Sequence, residues 1–551
     1  MPSVTAPSPT PFSCTPYAIG RQGEGVCLLV QMGPYRILLD CGPTNLEFLD
    51  NDATRSDPAA LDLVFCSHAH RDHAEGLLEL HQQLPNLPVY MTQATKQLLP
   101  LNWSQRQVPE DLGTILPWRS PVEVLKNLTI RLFPAGHLPG AAAALFTLHT
   151  AERDYTLFYT GDFSVSHFQL VNGLSIEELR GLNPDVLVVE GSYGIVRHPH
   201  RRQQEKYLAN RILEALNTGQ SVILPVPRLG LGQEILKLLR SHHQFTGKKL
   251  DIWVEGQVAK ACDLYLDILF ELPEPVQNFA KHQSLFWDER VYPRMHRLRA
   301  DEFPDISQGN HIIITDYTHD FARYCDDKTA PCLLLLPEHP GVWLNFDDPP
   351  LAAIAPKRHV QIETYLLAEH SDGLNTTQLI HNLRPQHVIF YHGSRDDLSN
   401  LTGLEELQNR YQLHCPNTGN LVELPIGETF MQPEVPQKLE YEGEINELGS
   451  WVTISLPNNV SEDPRWQAFA DTGLIEAHWQ GEELVIRGIN ERELLRHGND
   501  AERFVNLDCC INCCFQKAMR CQQPKSPLYR FKITPEGYCP EFQAIATKAN
   551  N

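Results

Sequence analysis

The segment that most restricts this chain is Ser67-His68-Ala69-His70-Arg71-Asp72-His73, set directly after the apolar run 61–66. Leu61-Asp62-Leu63-Val64-Phe65-Cys66 reads as a short buried strand. A loop follows, and then Glu75-Gly76-Leu77-Leu78-Glu79-Leu80 reads as the opening of a helix. His68 and His70 alternate, so an extended backbone aims both imidazoles to one side. Asp72 and His73 follow where the chain turns and can serve a neighbouring metal. Mixed imidazole and carboxylate donors suit zinc, and also manganese or iron. Three imidazoles and a carboxylate within positions 68–73 therefore make a ligand set for two metal ions and point to hydrolysis.

Four further segments keep the same style of placement, a polar ligand at the end of an apolar strand. Arg36-Ile37-Leu38-Leu39-Asp40-Cys41-Gly42 is a strand ending in Asp-Cys-Gly. Phe133-Pro134-Ala135-Gly136-His137-Leu138-Pro139-Gly140 carries a histidine on a glycine-rich turn. Leu157-Phe158-Tyr159-Thr160-Gly161-Asp162 is a strand ending in Thr-Gly-Asp, and Asp185-Val186-Leu187-Val188-Val189-Glu190 a strand ending in a carboxylate. In this order the first three, with the opening motif, resemble the motifs of the metallo-β-lactamase superfamily. The resemblance implies that Asp40 supports the site from behind the ligands.

Glu190 begins a more specific resemblance, to the β-CASP nucleases, where an insert follows an acidic motif A. The next strand, Val222-Ile223-Leu224-Pro225-Val226-Pro227-Arg228-Leu229-Gly230-Leu231-Gly232-Gln233-Glu234, is similar to that family's Val-Leu-Ile-Pro-Val-Phe-Ala-Leu-Gly-Arg-Ala-Gln-Glu. Glu369-His370-Ser371-Asp372 resembles motif B, and Gln386-His387-Val388-Ile389-Phe390-Tyr391-His392-Gly393 resembles motif C. The chain departs from RNA-processing members at 331–341, which holds no Ser-Gly-Met loop. That loop belongs to the family's substrate channel, so substrate length and processivity stay open.

The resemblance implies a four-layer αββα metallo-β-lactamase fold over 12–195 and 363–430. An inserted α/β β-CASP domain would span 196–362, and a small C-terminal α/β domain 431–551. It implies one zinc on His68, His70 and His137, a second on Asp72, His73 and His392, and Asp162 bridging them. Manganese is the alternative metal. A hydroxide shared by the two ions would attack phosphorus in line, and zinc chemistry makes it available near neutral pH. His370, oriented by Glu190, is the candidate proton donor to the leaving 3′-oxygen. The products would carry 5′-phosphate and 3′-hydroxyl ends. Histidine in motif B is the pattern of RNA-acting members, so single-stranded RNA is the expected partner, within an RNA-processing complex or a homo-oligomer.

Three other readings compete: a DNA nuclease of the same family, a small-molecule thioester hydrolase or lactonase of the same fold, and a catalytically silent scaffold subunit. His370 argues against the first, the insert signature with motifs A to C against the second, and the filled ligand positions against the third.

Composition limits these readings. The net charge is −22, which argues against indiscriminate binding to nucleic acid, because phosphate neutralisation needs clustered cations. Arg197, Arg201, Arg202, Lys206 and Arg211 follow motif A with helical spacing, and form either a basic groove or a solvated helix face. At 551 residues the chain should hold about two to four domains. The first residues have no basic start and no apolar core, so no signal peptide is expected, and no apolar run is long enough for a membrane span. Cys27, Cys41 and Cys66 sit within apolar strand patterns and read as buried thiols. A cytoplasmic protein is expected.

After 425 the pattern changes. Residues 433–447 read as an acidic, proline-containing linker. Strands are expected at 451–456 and 483–487, with a helix near 464–470. Six of the 14 cysteines fall at 509 and beyond. Cys510-x-x-Cys513, with Cys521 and Cys539, has spacing that suits a further zinc or an iron–sulfur cluster; a plain thiol-rich helix and redox pairing are the alternatives.

Overall fold

The computed structural model describes residues 12–47, 61–299, 310–318, 321–325, 331–338 and 351–427, apart from positions 22, 104, 355, 356 and 358. Further on it describes 444–448, 451–455, 475–480, 483–488, 513–517, 520–525 and 543. The chain divides into two compact units, Met1–Pro433 and Glu434–Asn551.

The first unit holds two seven-stranded sheets and one six-stranded sheet. The first sheet runs in the order Val422–Glu423, Phe12–Ile19, Val26–Met32, Tyr35–Leu39, Leu63–Phe65, Val89–Met91, Thr114–Ile115. The second runs Gln412–His414, His387–Tyr391, Val186–Glu190, Asp154–Tyr159, Ala142–His149, Leu128–Pro134, Val122–Leu125. Side chains alternate across a strand, and the two faces of each strand serve two different cores. Val26, Leu28 and Val30 join Leu63, Phe65, Leu157, Tyr159, Val186, Val188 and Ile389 in one core between the sheets. Their neighbours Cys27, Leu29, Val64, Cys66, Phe158, Leu187, Val189 and Val388 join the other core. That outer core also takes apolar side chains from the helices Leu77–Gln83, Gln93–Leu98 and Gly373–Leu383. Helix, sheet, sheet, helix is the four-layer arrangement anticipated above. Strands buried on both faces explain the near-continuous apolar runs in the sequence.

The third sheet is parallel throughout, in the order Arg294–Leu298, Asp251–Glu255, His311–Asp316, Ser221–Val226, Cys332–Pro337, Val360–Tyr365. Val222, Leu224 and Val226 face the large core while Ile223 faces a smaller one with Ile313 and Leu334.

Three expectations change. The strand before the histidine motif spans only Leu63–Phe65, and the following helix begins at Leu77, after a separate helical turn at Arg71–Ala74. The stretch read as a linker ends in a strand, Glu444–Leu448, which pairs antiparallel with Trp451–Ser455. Its apolar positions Ile445 and Leu448 are outweighed in composition by acidic neighbours, which is why the pattern read as linker. In the same unit Ile475–Gln480 pairs with Glu483–Gly488. The helix expected near 464–470 lies outside the described residues. Among the described residues no helix is long and apolar enough to cross a membrane.

Candidate metal centre

The polar ends of the two sandwich sheets meet at one place. His68 and His70 lie on an extended stretch, and His70 (φ −63°, ψ 149°) leads into the helical turn that carries Asp72 and His73. His137 follows the strand Leu128–Pro134, Asp162 follows Asp154–Tyr159, Glu190 ends Val186–Glu190, and His392 follows His387–Tyr391. His370 stands just before the helix Gly373–Leu383, whose N-cap is Asp372. Close backbone approach makes this possible. A Cβ at Gly42 would lie 1.8 Å from the Asp72 carbonyl oxygen, so only glycine lets the strand after Leu39 pass that turn.

Two ligand groups result, His68 with His70, His137 and Asp162, and Asp72 with His73 and His392. In the first, His70 Nδ1 lies 3.2 Å from His68 Nε2 and 3.0 Å from His137 Nε2. In the second, Asp72 Oδ2 lies 3.2 Å from His392 Nε2 and 3.8 Å from His73 Nε2. Asp162 Oδ2 sits between them: 3.6 and 3.9 Å from His68 and His137 Nε2, 3.2 and 3.8 Å from His73 and His392 Nε2.

The other ring nitrogen of every imidazole is already engaged. His70 Nε2 meets the Leu229 carbonyl at 3.3 Å, and His137 Nδ1 the Glu369 carbonyl at 2.9 Å. A carbonyl only accepts, so both nitrogens donate. His73 Nδ1 donates to Asp40 Oδ2 at 2.7 Å. His68 Nδ1 meets Ser67 Oγ at 2.9 Å, and that hydroxyl donates to Asp40 Oδ2 at 2.7 Å. His392 Nδ1 meets Ser192 Oγ at 2.8 Å, and Ser192 Oγ donates to Glu190 Oε2. Each ring therefore keeps its lone pair on the nitrogen that points inward, the tautomer a metal ligand needs. Two inward atoms, His73 Nε2 and Asp162 Oδ1, are buried without a hydrogen-bond partner. Buried polar atoms are rarely left so. A pair of divalent cations fits this donor set.

Electrostatics differ between the groups. Burial pushes His68, His70 and His137 below the ordinary imidazole value, and neighbouring rings push His68 and His137 further. Burial acts the same way on His73 and His392, but Asp162 and Asp72 outweigh it and raise both. Burial alone would raise Asp72 and Asp162, yet the surrounding imidazoles hold both carboxyls well below the usual range.

Asp40 carries more than its predicted support. It accepts from Ser67 N (2.6 Å), Ser67 Oγ (2.7 Å), His73 Nδ1 (2.7 Å) and Tyr159 Oη (2.6 Å). Glu190 accepts from His370 Nδ1 at 3.0 and 3.1 Å and from Phe163 N at 2.7 Å. Burial opposes charge on His370, but Glu190 prevails and pushes it up to about 9. Sequence reading missed Ser67, Ser192 and Tyr159 as supports, because a hydroxyl at or just after the end of an apolar strand carries no spacing signal.

The groups open onto a cavity of about 660 Å³ lined by Asp72, Asp162, His370 and His392, and also by Arg228, Leu229 and Tyr317. Leu336 and Pro337, within the stretch that departs from the family loop, line it too. The basic helix does not. Arg201 turns inward to Glu205 and the Ala368 carbonyl, and Arg211 is clamped by Glu363 at 2.6 and 2.8 Å. Arg197, Arg202 and Lys206 are exposed away from the cavity lining. In the second unit, Cys513 and Cys521 are buried and Cys514 is exposed. Cys521 lies on the small hairpin Gln516–Lys517/Arg520–Cys521. Cys510 and Cys539 lie outside the described residues.

Comparison with known proteins agrees with this geometry. Residues 35–219 match a family described as a beta-lactamase superfamily domain. An uncharacterized protein of Synechocystis sp. is 48% identical over 97% of this chain and 97% of its own length. A probable RNase of Methanocaldococcus jannaschii is 26% identical over 52% of this chain and 68% of its own length. Cleavage and polyadenylation specificity factor subunit 3-I of Arabidopsis thaliana is 22% identical over 70% of this chain, which spans 60% of that relative.

Proposed function

Given that the chain belongs to the β-CASP nuclease family of the metallo-β-lactamase superfamily, we propose that it is a metal-dependent ribonuclease acting on single-stranded RNA. His68, His70 and His137 would hold one ion, Asp72, His73 and His392 the other, and Asp162 would bridge. Two zinc ions, or manganese in their place, would supply an activated water and neutralise charge growing on the phosphoryl oxygens. The chain's own groups do the rest. Asp40, Ser67 and Ser192 hold the imidazoles in one tautomer. Glu190 accepts from His370 Nδ1 and orients the ring, which would deliver a proton to the leaving 3′-oxygen. The products would be 5′-phosphate and 3′-hydroxyl ends. The residue ranges 12–195 with 363–430, 196–362 and 431–551 remain the domain plan proposed for this activity.

The observation that carries this reading is the His370–Glu190 pair beside Asp162. A hydrolase that only activates water needs the two ligand groups alone. Here a third group, Asp162, Glu190 and His370, converges on the same carboxylate, with His370 Nδ1 3.9 Å from Asp162 Oδ2. Glu190 favours the charged form of this buried imidazole, and an imidazolium is suited to protonate an alkoxide leaving group.

The test is cleavage of 5′-labelled single-stranded RNA and DNA, with and without chelator, by the full chain and by His370→Ala. RNA should be cut, chelator should stop it, and His370→Ala should lose about 10²–10⁴-fold in rate while keeping both ions. Full activity of that variant with metal bound would remove the acid role. Cleavage confined to DNA would remove the ribonuclease assignment.

A further inference from the structure

The cavity has a second wall that the metal ligands leave unexplained. Its only lining arginines among the described residues are Arg71 and Arg228, and there is no lining lysine. They come from different parts of the fold. Arg71 opens the helical turn Arg71–Ala74 between His70 and Asp72. Arg228 follows the third-sheet strand Ser221–Val226, and Tyr317 follows the adjacent parallel strand His311–Asp316. The carboxyl ends of parallel strands are where α/β sheets commonly bind ligands. Arg71, Arg228 and Tyr317 all line this one cavity.

Arg71 Nε hydrogen-bonds Glu75 Oε2 at 2.6 Å, and Arg228 Nε forms an ion pair with Asp316 Oδ2 at 3.4 Å. Neither contact uses the terminal guanidinium nitrogens, whose fork suits phosphate. The backbone under Arg228 is fixed. The Leu229 carbonyl accepts from His70 Nε2, and Gln233 bonds Gly230 N at 2.8 Å. Gly230 stands at φ 95°, where a Cβ would lie 2.8 Å from Glu369 Oε1 and from a Leu138 methyl. The loop is thus pinned to a metal-ligand imidazole at one side and to its own helix at the other.

We infer that Arg71, Arg228 and the Tyr317 hydroxyl form a subsite for a backbone phosphate of the bound strand, next to the one being cut. This rests on the reading of the cavity as a nucleic-acid site. The remaining charged lining, Glu24, Asp72, Glu75 and Asp162, repels phosphate, and the whole chain carries −22. Away from the two ions that the ligand groups would hold, Arg71 and Arg228 are the permanent positive charges of this lining among the described residues. Two arginines here hold the strand where a neutral small ester gains nothing from them.

The test is binding of a fluorescein-labelled single-stranded RNA with phosphorothioate linkages to the full metal-loaded chain, by anisotropy across a salt series. Arg71→Ala and Arg228→Ala should each weaken binding about tenfold. Each should also flatten the slope of log affinity against log salt, and the double variant should lose about 0.7, the share of one single-strand phosphate. On cleavable RNA, KM should rise more than kcat falls. Lys281→Ala, a charge outside the cavity, should change none of these. Cleavage by wild type, with both arginine variants matching it in affinity and slope, overturns the subsite and leaves the ribonuclease reading intact. Weakened binding by the variants, where wild type binds but does not cut RNA, overturns the ribonuclease reading and keeps the subsite. Absence of RNA binding by wild type overturns both.

Discussion

The two ligand groups are built from the same side chains and differ in their supports at all but His68, which reaches Asp40 through Ser67. His70 and His137 lean on backbone carbonyls, of Leu229 and Glu369. His73 and His392 lean on carboxylates, Asp40 directly and Glu190 through Ser192. The first group is enclosed, and His68 and His137 have no exposed side-chain surface. In the second, Asp72 is 42% exposed at the cavity. In the first group burial pushes the imidazoles down, and neighbouring rings push His68 and His137 further. In the second group Asp162 and Asp72 outweigh burial and raise His73 and His392, with Asp40 adding to the pull on His73. The first group is a geometric lock, and the second is an electrostatic one that solvent and substrate can reach.

The largest expected effect comes from removing what the groups share. Asp162 Oδ2 lies within 4 Å of the inward nitrogens of four ligand imidazoles. Asp162→Ala should lose both ions and all measurable cleavage, with the metal content read by elemental analysis of purified protein. Two ions retained per chain would show that the groups stand without a bridge.

Asp40→Asn comes next. Asp40 stands at φ 59°, a conformation asparagine also tolerates, so the turn should survive. The amide, however, presents two donors to a site where four donors already converge. His73 should lose its anchor outright, and His68 should be disturbed only through Ser67. Metal affinity should fall about 10–100-fold, the usual cost of a broken support. Competition with a chelator should show the second group emptied first. Equal loss from both groups would mean that Asp40 supports the loop as a whole and not one imidazole.

Much of this centre was legible in the chain because metal ligands sit where strands end. A buried strand followed by His-x-His-x-Asp-His leaves few other uses for those side chains, and His137, Asp162, Glu190 and His392 each follow an apolar run. The basic helix misled, since Arg201 and Arg211 have the spacing of an exposed face. Glu205 lies one helical turn from Arg201, but Glu363 lies 152 residues from Arg211 on a strand of the third sheet, so that pairing was visible only in three dimensions. Arg228 gave no signal either, because a single arginine after a strand is common. Its meaning comes from the adjacent strand that delivers Tyr317 beside it. The hydroxyl supports were silent for the same reason: Ser192 lies two residues from Glu190 but 200 from His392.

Ser192 gives the smallest and most selective test of the contrast. Its hydroxyl donates to Glu190 and accepts from His392 Nδ1, so it carries the pull of a carboxylate to one ligand of the second group. Ser192→Ala removes that link and leaves Glu190 its bonds to His370 and Phe163 N. His392 then loses its fixed tautomer, while His68, His70 and His137 keep every anchor. Affinity at the second group should fall about tenfold, with the first unchanged. Dialysis against a graded chelator should therefore leave one ion per chain over a wider range than in wild type, and Ser192→Thr should restore the two-ion form. If Ser192→Ala released both ions together, the groups would be one cooperative centre, and the distinction between a backbone lock and a carboxylate lock would fail.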